Sequence, residues 1–269
     1  GTPVPGVIVT FAVTAGGGSV VGSPDTTNAS GIASLATWRL GSVVGPNTVT
    51  ATATNLNSVT FNATGTAGAP ATVVASAGTN QTAVQGTTVA VPPIVTVTDA
   101  SGNPVLGAAV TFAVTGGGGS ATGLTPLTNT QGQAAVASWT LGTGASNTLR
   151  ATVSGSGITG NPVTFAAQSA TQIVITAEPN GPINLGTNFS ITVQLRNSAN
   201  ANVPLAGVQL SIAIASGVGT LVGTLAQATN DSGTAVFTNI NVTGTAGART
   251  FKITGAGLTE DTTAQITFN

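Results

Sequence analysis

The chain has 269 residues and very little charge: five basic residues stand against six acidic ones, and charged residues are 4% of the composition, where a typical soluble protein has roughly a quarter. It contains no Cys, His or Tyr, which excludes thiol nucleophiles, imidazole bases and the usual ligands of transition metals. So few Lys and Arg cannot form the basic face that nucleic acid requires, and no apolar stretch approaches the roughly 18 residues that span a bilayer.

Residues 1–68 predict short strands separated by turns. Apolar and polar side chains alternate over residues 9–14, which is the pattern of a strand with one buried face. The glycine run at 16–18 predicts a loop with positive φ rather than a phosphate cradle, because a Ser and a strand follow it instead of a Lys and a helix. A T-N-x-x-G turn at 27–31 then leads into an apolar strand that ends near Trp38.

Residues 69–169 show the whole pattern. Seven or so short strands are separated by turn residues at intervals of roughly 8–12 residues, with no helical periodicity. Pro92 and Pro93 interrupt the pattern and indicate an edge or a bend, because proline cannot donate to a sheet. The predicted strands cover residues 73–75, 87–91, 94–98, 109–114, 134–141, 147–153 and 162–167. This order predicts an all-β fold of Greek-key sandwiches of the immunoglobulin type, without the disulfide.

The pattern recurs at intervals of 101 residues. Three T-N-x-x-G turns lie at equivalent positions, with Asn28, Asn129 and Asn230 near their starts and Gly31, Gly132 and Gly233 at their ends. A period of this length is one small domain rather than a solenoid repeat of roughly 20–50 residues. The sequence therefore predicts three tandem domains, at 1–68, 69–169 and 170–269, of which the first lacks about 33 residues at its N-terminal side. The segments between them are very short, which predicts a stiff, extended rod.

The shortened first domain leaves two interpretations open. Either these residues are a slice of a longer repeat protein, or another chain completes the first domain by adding strands. The low charge favours association, since the edges of sandwiches normally carry Lys and Pro against edge-to-edge pairing and here few charges defend them. No surplus strand is evident, however, because the third domain ends on its own final strand at 263–268.

One stretch carries a recognisable pattern. The D-x-x-G-N-P turn at 99–104 leads to a V-T-F strand at 110–112 and then to the turn that contains Asn129. This order resembles the bacterial immunoglobulin-like domains that are strung together in adhesins of the invasin and intimin type. The resemblance covers nearly the whole chain. The third domain departs from it, with 197–200 in place of D-x-x-G and Ile240 in place of tryptophan.

The resemblance implies a passive stalk at the bacterial cell surface. In that family such domains hold a terminal binding domain away from the cell. The lectin-like tip of some members carries Cys and aromatic residues, and no part of this chain resembles it. Receptor binding is therefore not implied for this segment.

Candidate chemistry is sparse. The six carboxylates are spread over turns and termini of three domains, so neither a glycosidase pair nor another catalytic set is predicted, and no cofactor is expected. Calcium is a further option, because oxygen ligands from a joint between domains can hold it. Its candidates are Glu178, Glu260 and Asp261, which could meet only within the third domain and form no D-x-D-x-D-G loop.

Four aromatic residues are predicted to lie in the core. Trp38 and Trp139 occupy equivalent positions, as do Phe11 and Phe112. Exposed tryptophans could bind sugar or a partner, but one per domain in the same register favours packing in the core.

Three hypotheses about function follow from these observations. The first is a structural component of a bacterial extracellular rod or filament, without catalysis. The second is a self-assembling fibre subunit whose first domain is completed by strands from a neighbouring chain, and the third is a carbohydrate-binding module. The expected partners are copies of the chain or flanking immunoglobulin-like domains, with glycans as an alternative; nucleic acid and a membrane span are not expected.

Overall fold

A computed structural model describes residues 1–269, which form strands and turns and no helix. No segment is therefore a helix long and apolar enough to cross a membrane. The strands fall into three groups, which we call the first unit (β1–β6), the second unit (β7–β15) and the third unit (β16–β24). An all-β fold of immunoglobulin-like sandwiches is confirmed.

The first unit is one four-stranded sheet and a separate two-stranded pair. The sheet has the order β3-β1-β5-β6, and β2 pairs with β4. Its strands are β1 (Ile8–Ala15), β2 (Ser19–Val21), β3 (Asp25–Thr26), β4 (Thr37–Arg39), β5 (Gly45–Thr52) and β6 (Val59–Gly65). Only two of its hydrophobic side chains are buried, Phe11 and Val49, so this unit has no closed core.

The second unit is a two-layer sandwich. One layer has the order β10-β14-β15-β8, the other has the order β12-β9-β7, and β11 pairs with β13. Its strands are β7 (Thr72–Ala77), β8 (Gln81–Val84), β9 (Ile94–Thr98), β10 (Val110–Gly116), β11 (Ser120–Thr122), β12 (Gln133–Ala135), β13 (Ser138–Thr140), β14 (Asn147–Val153) and β15 (Val163–Ala170). The inward residues of both layers form one core of 20 buried side chains.

The third unit repeats this sandwich with a separate core of 16 buried residues. Its layers have the orders β16-β17-β21-β19 and β20-β18-β22-β23, and β24 also pairs with β22. Its strands are β16 (Gln172–Ala177), β17 (Phe189–Arg196), β18 (Gln209–Ser216), β19 (Thr220–Val222), β20 (Ala226–Ala228), β21 (Thr234–Thr243), β22 (Gly247–Gly255), β23 (Asp261–Thr262) and β24 (Ile266–Phe268).

Two strand predictions in the second unit were wrong. The apolar run 134–141 is not one strand: it is split into β12, which pairs with β9, and β13, which pairs with β11, because the chain changes layer between them. Residues 87–91 do not form a strand. They make a short bridge in which Leu141 N–H donates to the Thr87 carbonyl, and the proline pair that follows cannot continue a ladder.

The three T-N-x-x-G turns are built alike. In the second unit the Asn129 side-chain oxygen accepts the backbone N–H groups of Gln131 and Gln133, both at 2.9 Å, and Gly132 N–H donates to the Asn129 carbonyl. Asn28 and Asn230 make the equivalent bonds in the other two units. The closing glycines have φ between 72° and 76°, which side chains other than glycine rarely adopt.

Candidate functional site: the joints and the open face

The first joint, between the first and second units, is held by two side chains of the D-x-x-G-N turn. Asp99 and Asn103 are both buried. The Asp99 carboxylate accepts the backbone N–H of Gly68 at 2.9 Å, so it holds the end of the connecting segment. It also accepts the Asn103 side-chain amide at 2.9 Å and the Ser101 N–H at 2.9 Å, so the turn is fixed from within.

Asn103 reaches further, into the first unit. Its side-chain N–H donates to the Ser42 carbonyl at 2.7 Å, and its side-chain oxygen accepts the Val44 N–H at 3.2 Å. Both partners lie in the loop between β4 and β5. We call Asp99 and Asn103 the joint clamp, because a rotation of one unit against the other must break these bonds.

The joint clamp also shifts the ionisation of its carboxyl group. The side-chain hydrogen bond from Asn103, followed by the backbone hydrogen bond from Gly68, lowers the pKa of Asp99 from 3.8 to about 2. Burial acts in the opposite direction and is outweighed, because hydrogen bonds to the charged form favour it. Asp99 is therefore ionised at neutral pH.

The second joint, between the second and third units, uses other residues. Gln85 donates from its side chain to the Gly257 carbonyl at 2.8 Å, and the Thr82 hydroxyl donates to the Pro204 carbonyl at 3.1 Å. The turn that corresponds to the joint clamp has Asn197 in place of Asp99. The Asn197 side chain accepts hydrogen bonds only within its own turn, from the N–H groups of residues 199 and 201. Residue 201 is alanine. The clamp is thus present at one joint and absent at the other.

The three calcium candidates lie in the third unit, and each carboxylate already has a hydrogen-bond or salt-bridge partner in the protein. Glu178 accepts the Ala264 N–H through both oxygens at 3.2 Å, and Asp261 accepts the Ile175 N–H at 2.8 Å. These two carboxylates line one surface groove. Glu260 instead pairs with Lys252 at 3.3 Å. No three acidic or other metal-ligating side chains come together.

The four aromatic residues do not share one environment. Trp139 and Phe112 are fully buried in the core of the second unit, and Phe11 is buried against the sheet of the first unit. Trp38 is only partly buried, although its sequence position is equivalent to that of Trp139. At the same place in the third unit, Ile240 is fully buried.

The difference at Trp38 comes from the missing second layer of the first unit. Phe61 and Val59 of β6 are 47% and 55% exposed, whereas their counterparts Phe165 and Val163 in β15 are 0% and 9% exposed. We call the inward surface of the β1-β5-β6 sheet the open face. It is lined by Phe11, Ala33, Leu35, Trp38, Val49 and Phe61.

In each unit a buried polar residue fixes the glycine-containing loop that leads into β5, β14 or β22, and sequence reasoning missed all three residues. In the second unit the Asn147 side chain accepts the Gly142 N–H at 2.8 Å and donates to the Gly144 carbonyl at 3.0 Å. In the first unit the Asn47 side chain makes the equivalent bonds: it accepts the Gly41 N–H at 2.9 Å and donates to the Gly45 carbonyl at 3.2 Å. Their similar spacing from the T-N-x-x-G turns, 19 residues from Asn28 to Asn47 and 18 from Asn129 to Asn147, was the available signal.

In the third unit this place is taken by Arg249, which is 1% exposed. Its guanidinium donates to the carbonyls of Val218 at 2.6 Å, Gly247 at 3.0 Å and Thr245. The guanidinium carbon also lies 5.1 Å from the centre of the Phe268 ring, which is within the range of a cation–π interaction. Arg249 lies 19 residues after Asn230, as Asn47 lies 19 residues after Asn28, but the change from Asn to Arg obscures the equivalence.

The comparisons with known proteins support the fold. No family model matches the chain, and no curated protein does. Among solved structures, FdeC, an adhesin of Escherichia coli, superposes with a TM-score of 0.53 at 17% identity, over 95% of this chain and 84% of that one. InvD of Yersinia pseudotuberculosis gives 0.49 at 16% identity, over 99% and 88%. A β-glycosidase from Bacteroides vulgatus gives only 0.32 at 16% identity, over 74% of this chain and 24% of that one.

The class of protein is therefore a tandem array of immunoglobulin-like β-sandwiches. Its fold is similar to that of FdeC, a bacterial adhesin. The resemblance inferred from the sequence is confirmed at the level of the fold.

Proposed function

We propose that the chain is a non-catalytic structural spacer, a stiff stalk of immunoglobulin-like domains on the outside of a bacterial cell. The observation that carries this proposal is the joint clamp, which ties the second unit to two parts of the first, the connecting segment and the β4–β5 loop. A stalk has to transmit orientation between domains, and hydrogen bonds that cross a joint do this. The likeness in fold to the adhesin FdeC supports the same function.

The proposed division into domains is 1–68, 69–169 and 170–269. Two separate cores support the division between the second and third units, since one core contains residues from 73 to 167 and the other contains residues from 170 to 268. The joint has no flexible linker: β15 runs to Ala170, and that residue is already part of the core of the third unit. A continuous strand at the joint favours stiffness. The proposed partners are accordingly domains of the same kind, either in copies of this chain or flanking it.

The fibre and carbohydrate-binding alternatives have less support. Every strand of the second and third units pairs within its own unit, so these units have no strand to donate to a neighbour. Trp139 is fully buried and cannot stack on a sugar. Binding of glycans by the chain stays a prediction without a structural argument.

We predict that Asn103→Ala loosens the first joint. The variant removes the two hydrogen bonds to the β4–β5 loop, each worth about 1 kcal/mol. Because the chain has no cysteine, Thr60→Cys and Thr152→Cys can carry a single pair of spin labels across the joint. The distance distribution between the labels should broaden clearly in Asn103→Ala.

The matched control is Asn129→Ala. Asn129 accepts hydrogen bonds only within its own turn and makes none to the first unit. The same chemical change there should leave the distribution as narrow as in the parent. An unchanged distribution in Asn103→Ala would contradict the role of the joint clamp.

The first joint should also open in acid. The pKa of Asp99 is lower in the folded joint than its ordinary value of 3.8, so the stabilisation from its ionised form is complete above pH 3.8. It is lost as the pH falls from there through about 2. The label distribution should broaden over this window while circular dichroism shows that the sheets persist. Asp99→Asn, which copies the turn of Asn197, should remove this pH dependence.

A further inference from the structure

The chain contains a single Asn-Gly step, at Asn180–Gly181. It lies in the loop that follows β16, and both residues are exposed. The backbone nitrogen of the residue after an asparagine can attack the asparagine amide. This attack is least hindered when that residue is glycine, because glycine has no side chain beside the nitrogen. In a folded protein the attack then depends on how firmly the two residues are held.

The structure leaves these two residues unrestrained. Neither the Asn180 side chain nor the Gly181 N–H makes a hydrogen bond within the chain. The space beside Gly181 is open as well, since a Cβ at this position would have no neighbouring heavy atom within 4 Å. The Asn180 side chain can therefore approach the Gly181 nitrogen by bond rotations that no contact opposes.

Other asparagines of the chain are held or hindered. Asn197, which precedes a serine, is 5% exposed, and its side-chain oxygen accepts two N–H groups of its own turn. Asn147 is 0% exposed and is bonded through both side-chain atoms. Asn57 is exposed, but it too precedes a serine, whose side chain crowds the attacking nitrogen. Exposure, freedom from hydrogen bonds and a following glycine come together at Asn180.

We propose that Asn180 is a site of spontaneous deamidation in the folded protein. The Gly181 nitrogen loses its proton and bonds to the side-chain carbonyl carbon of Asn180. The bond from that carbon to Nδ2 breaks, and ammonia leaves with a proton. Water then opens the cyclic imide at either carbonyl carbon, which gives aspartate or isoaspartate. Overall, an amide and water become a carboxylate and ammonium.

The product places a new negative charge in a groove that already has two. Asn180 lines the same surface groove as Glu178 and Asp261. Like charges in one groove repel each other, and Glu178 is the carboxylate that accepts the Ala264 N–H. Deamidation is therefore expected to weaken the hold of Glu178 on Ala264.

Isoaspartate also changes the length of the main chain, which then runs through the side-chain carbons. The loop is anchored to one segment on both sides of Asn180. Glu178 accepts the Ala264 N–H at 3.2 Å, and the Ile183 N–H donates to the Thr267 carbonyl at 2.9 Å. A longer main chain between these anchors no longer fits their spacing, so the segment 264–268 should open more often.

The experiment incubates the purified full chain in mildly alkaline buffer, beside a synthetic peptide of residues 176–184. Isoelectric focusing should show one acidic product, and peptide mapping should assign it to Asn180 as a mixture of aspartate and isoaspartate. The rate in the folded chain should lie within about tenfold of the rate in the peptide. Asn197 should convert only when denaturant unfolds the chain. A folded chain that stays unmodified after the peptide has converted, or that converts first at Asn57, would overturn the proposal.

Two matched variants test the site. Asn180→Gln keeps the amide but needs a larger ring, so acidic product should form at least about tenfold more slowly. Asn57→Gln makes the same change at another exposed asparagine and should leave the rate at Asn180 unchanged. Equal rates in Asn180→Gln and the parent chain would refute the site.

Hydrogen exchange tests the effect on the anchors. The aged parent chain should lose protection at residues 264–268, and aged Asn180→Gln should keep it. Asn180→Asp adds the charge without the longer main chain and should show the part of this loss that repulsion causes. Full protection of 264–268 in the deamidated chain would refute the effect on the anchors.

Discussion

Trp139→Ala should lower the free energy of unfolding of the second unit by about 3–5 kcal/mol, the range for a large aromatic side chain removed from a core. Trp139 is 0% exposed and lies in the cluster that joins both layers of the sandwich. In a domain of this size the loss lowers the unfolding midpoint by more than about 12 °C. Calorimetry, with hydrogen exchange in β10 and β14 to assign the transition, measures it.

The matched variant is Trp38→Ala at the equivalent position of the first unit. Trp38 is only partly buried, so its removal should cost about 1 kcal/mol and leave the second unit unchanged. Trp139→Phe keeps most of the volume and removes a ring N–H that has no hydrogen-bond partner, so it should cost less than Trp139→Ala. Equal losses from Trp38→Ala and Trp139→Ala would show that the first unit has a closed core after all.

Arg249→Leu should destabilise the third unit by about 2–4 kcal/mol. The guanidinium makes three hydrogen bonds to the backbone carbonyls of residues 218, 245 and 247 and lies against Phe268. Hydrogen bonds to a charged group are worth about 1.5–3 kcal/mol each, and Leu recovers part of this loss because an apolar side chain avoids the cost of burying a charge. Hydrogen exchange in β18 and β22 reports this loss. The loops at 217–219 and 244–247 should lose protection first.

Arg150→Leu is the control for the change of charge. Arg150 is exposed on β14 and makes no salt bridge, so its replacement should change stability by less than about 0.5 kcal/mol. Arg249→Lys retains the charge but not the planar fork of donors, and should recover only part of the loss. Similar effects of Arg150→Leu and Arg249→Leu would mean that charge, and not the anchoring of the loops, sets the stability.

Much of the fold could be predicted because its signals are local. The strand at 94–98 was predicted from alternating side chains, and the turns at Asn28, Asn129 and Asn230 form from hydrogen bonds between residues two and four apart. The division of 134–141 into two strands was missed, because the composition of the run does not show that the chain changes layer there.

The joint clamp could not be predicted from its motif. D-x-x-G-N-P specifies the turn, but the contacts that make it a joint lie 31, 59 and 61 residues away in the chain, at Gly68, Val44 and Ser42. Arg249 illustrates the same limit, since its partner Val218 is 31 residues away. In both cases the local sequence shows which side chain is present but does not show which distant residues it will contact.

The sequence by itself determined the repeat, the sandwich class and the position of every T-N-x-x-G turn, because alternation and turn chemistry act over a few residues. Only the tertiary structure decided that Trp38 and Trp139, equivalent in sequence, differ in burial. The physical reason is that burial depends on the layer packed opposite, and that layer is made by residues distant in the chain. Residues 72–98 cover Trp139, and the first unit has no such layer over Trp38.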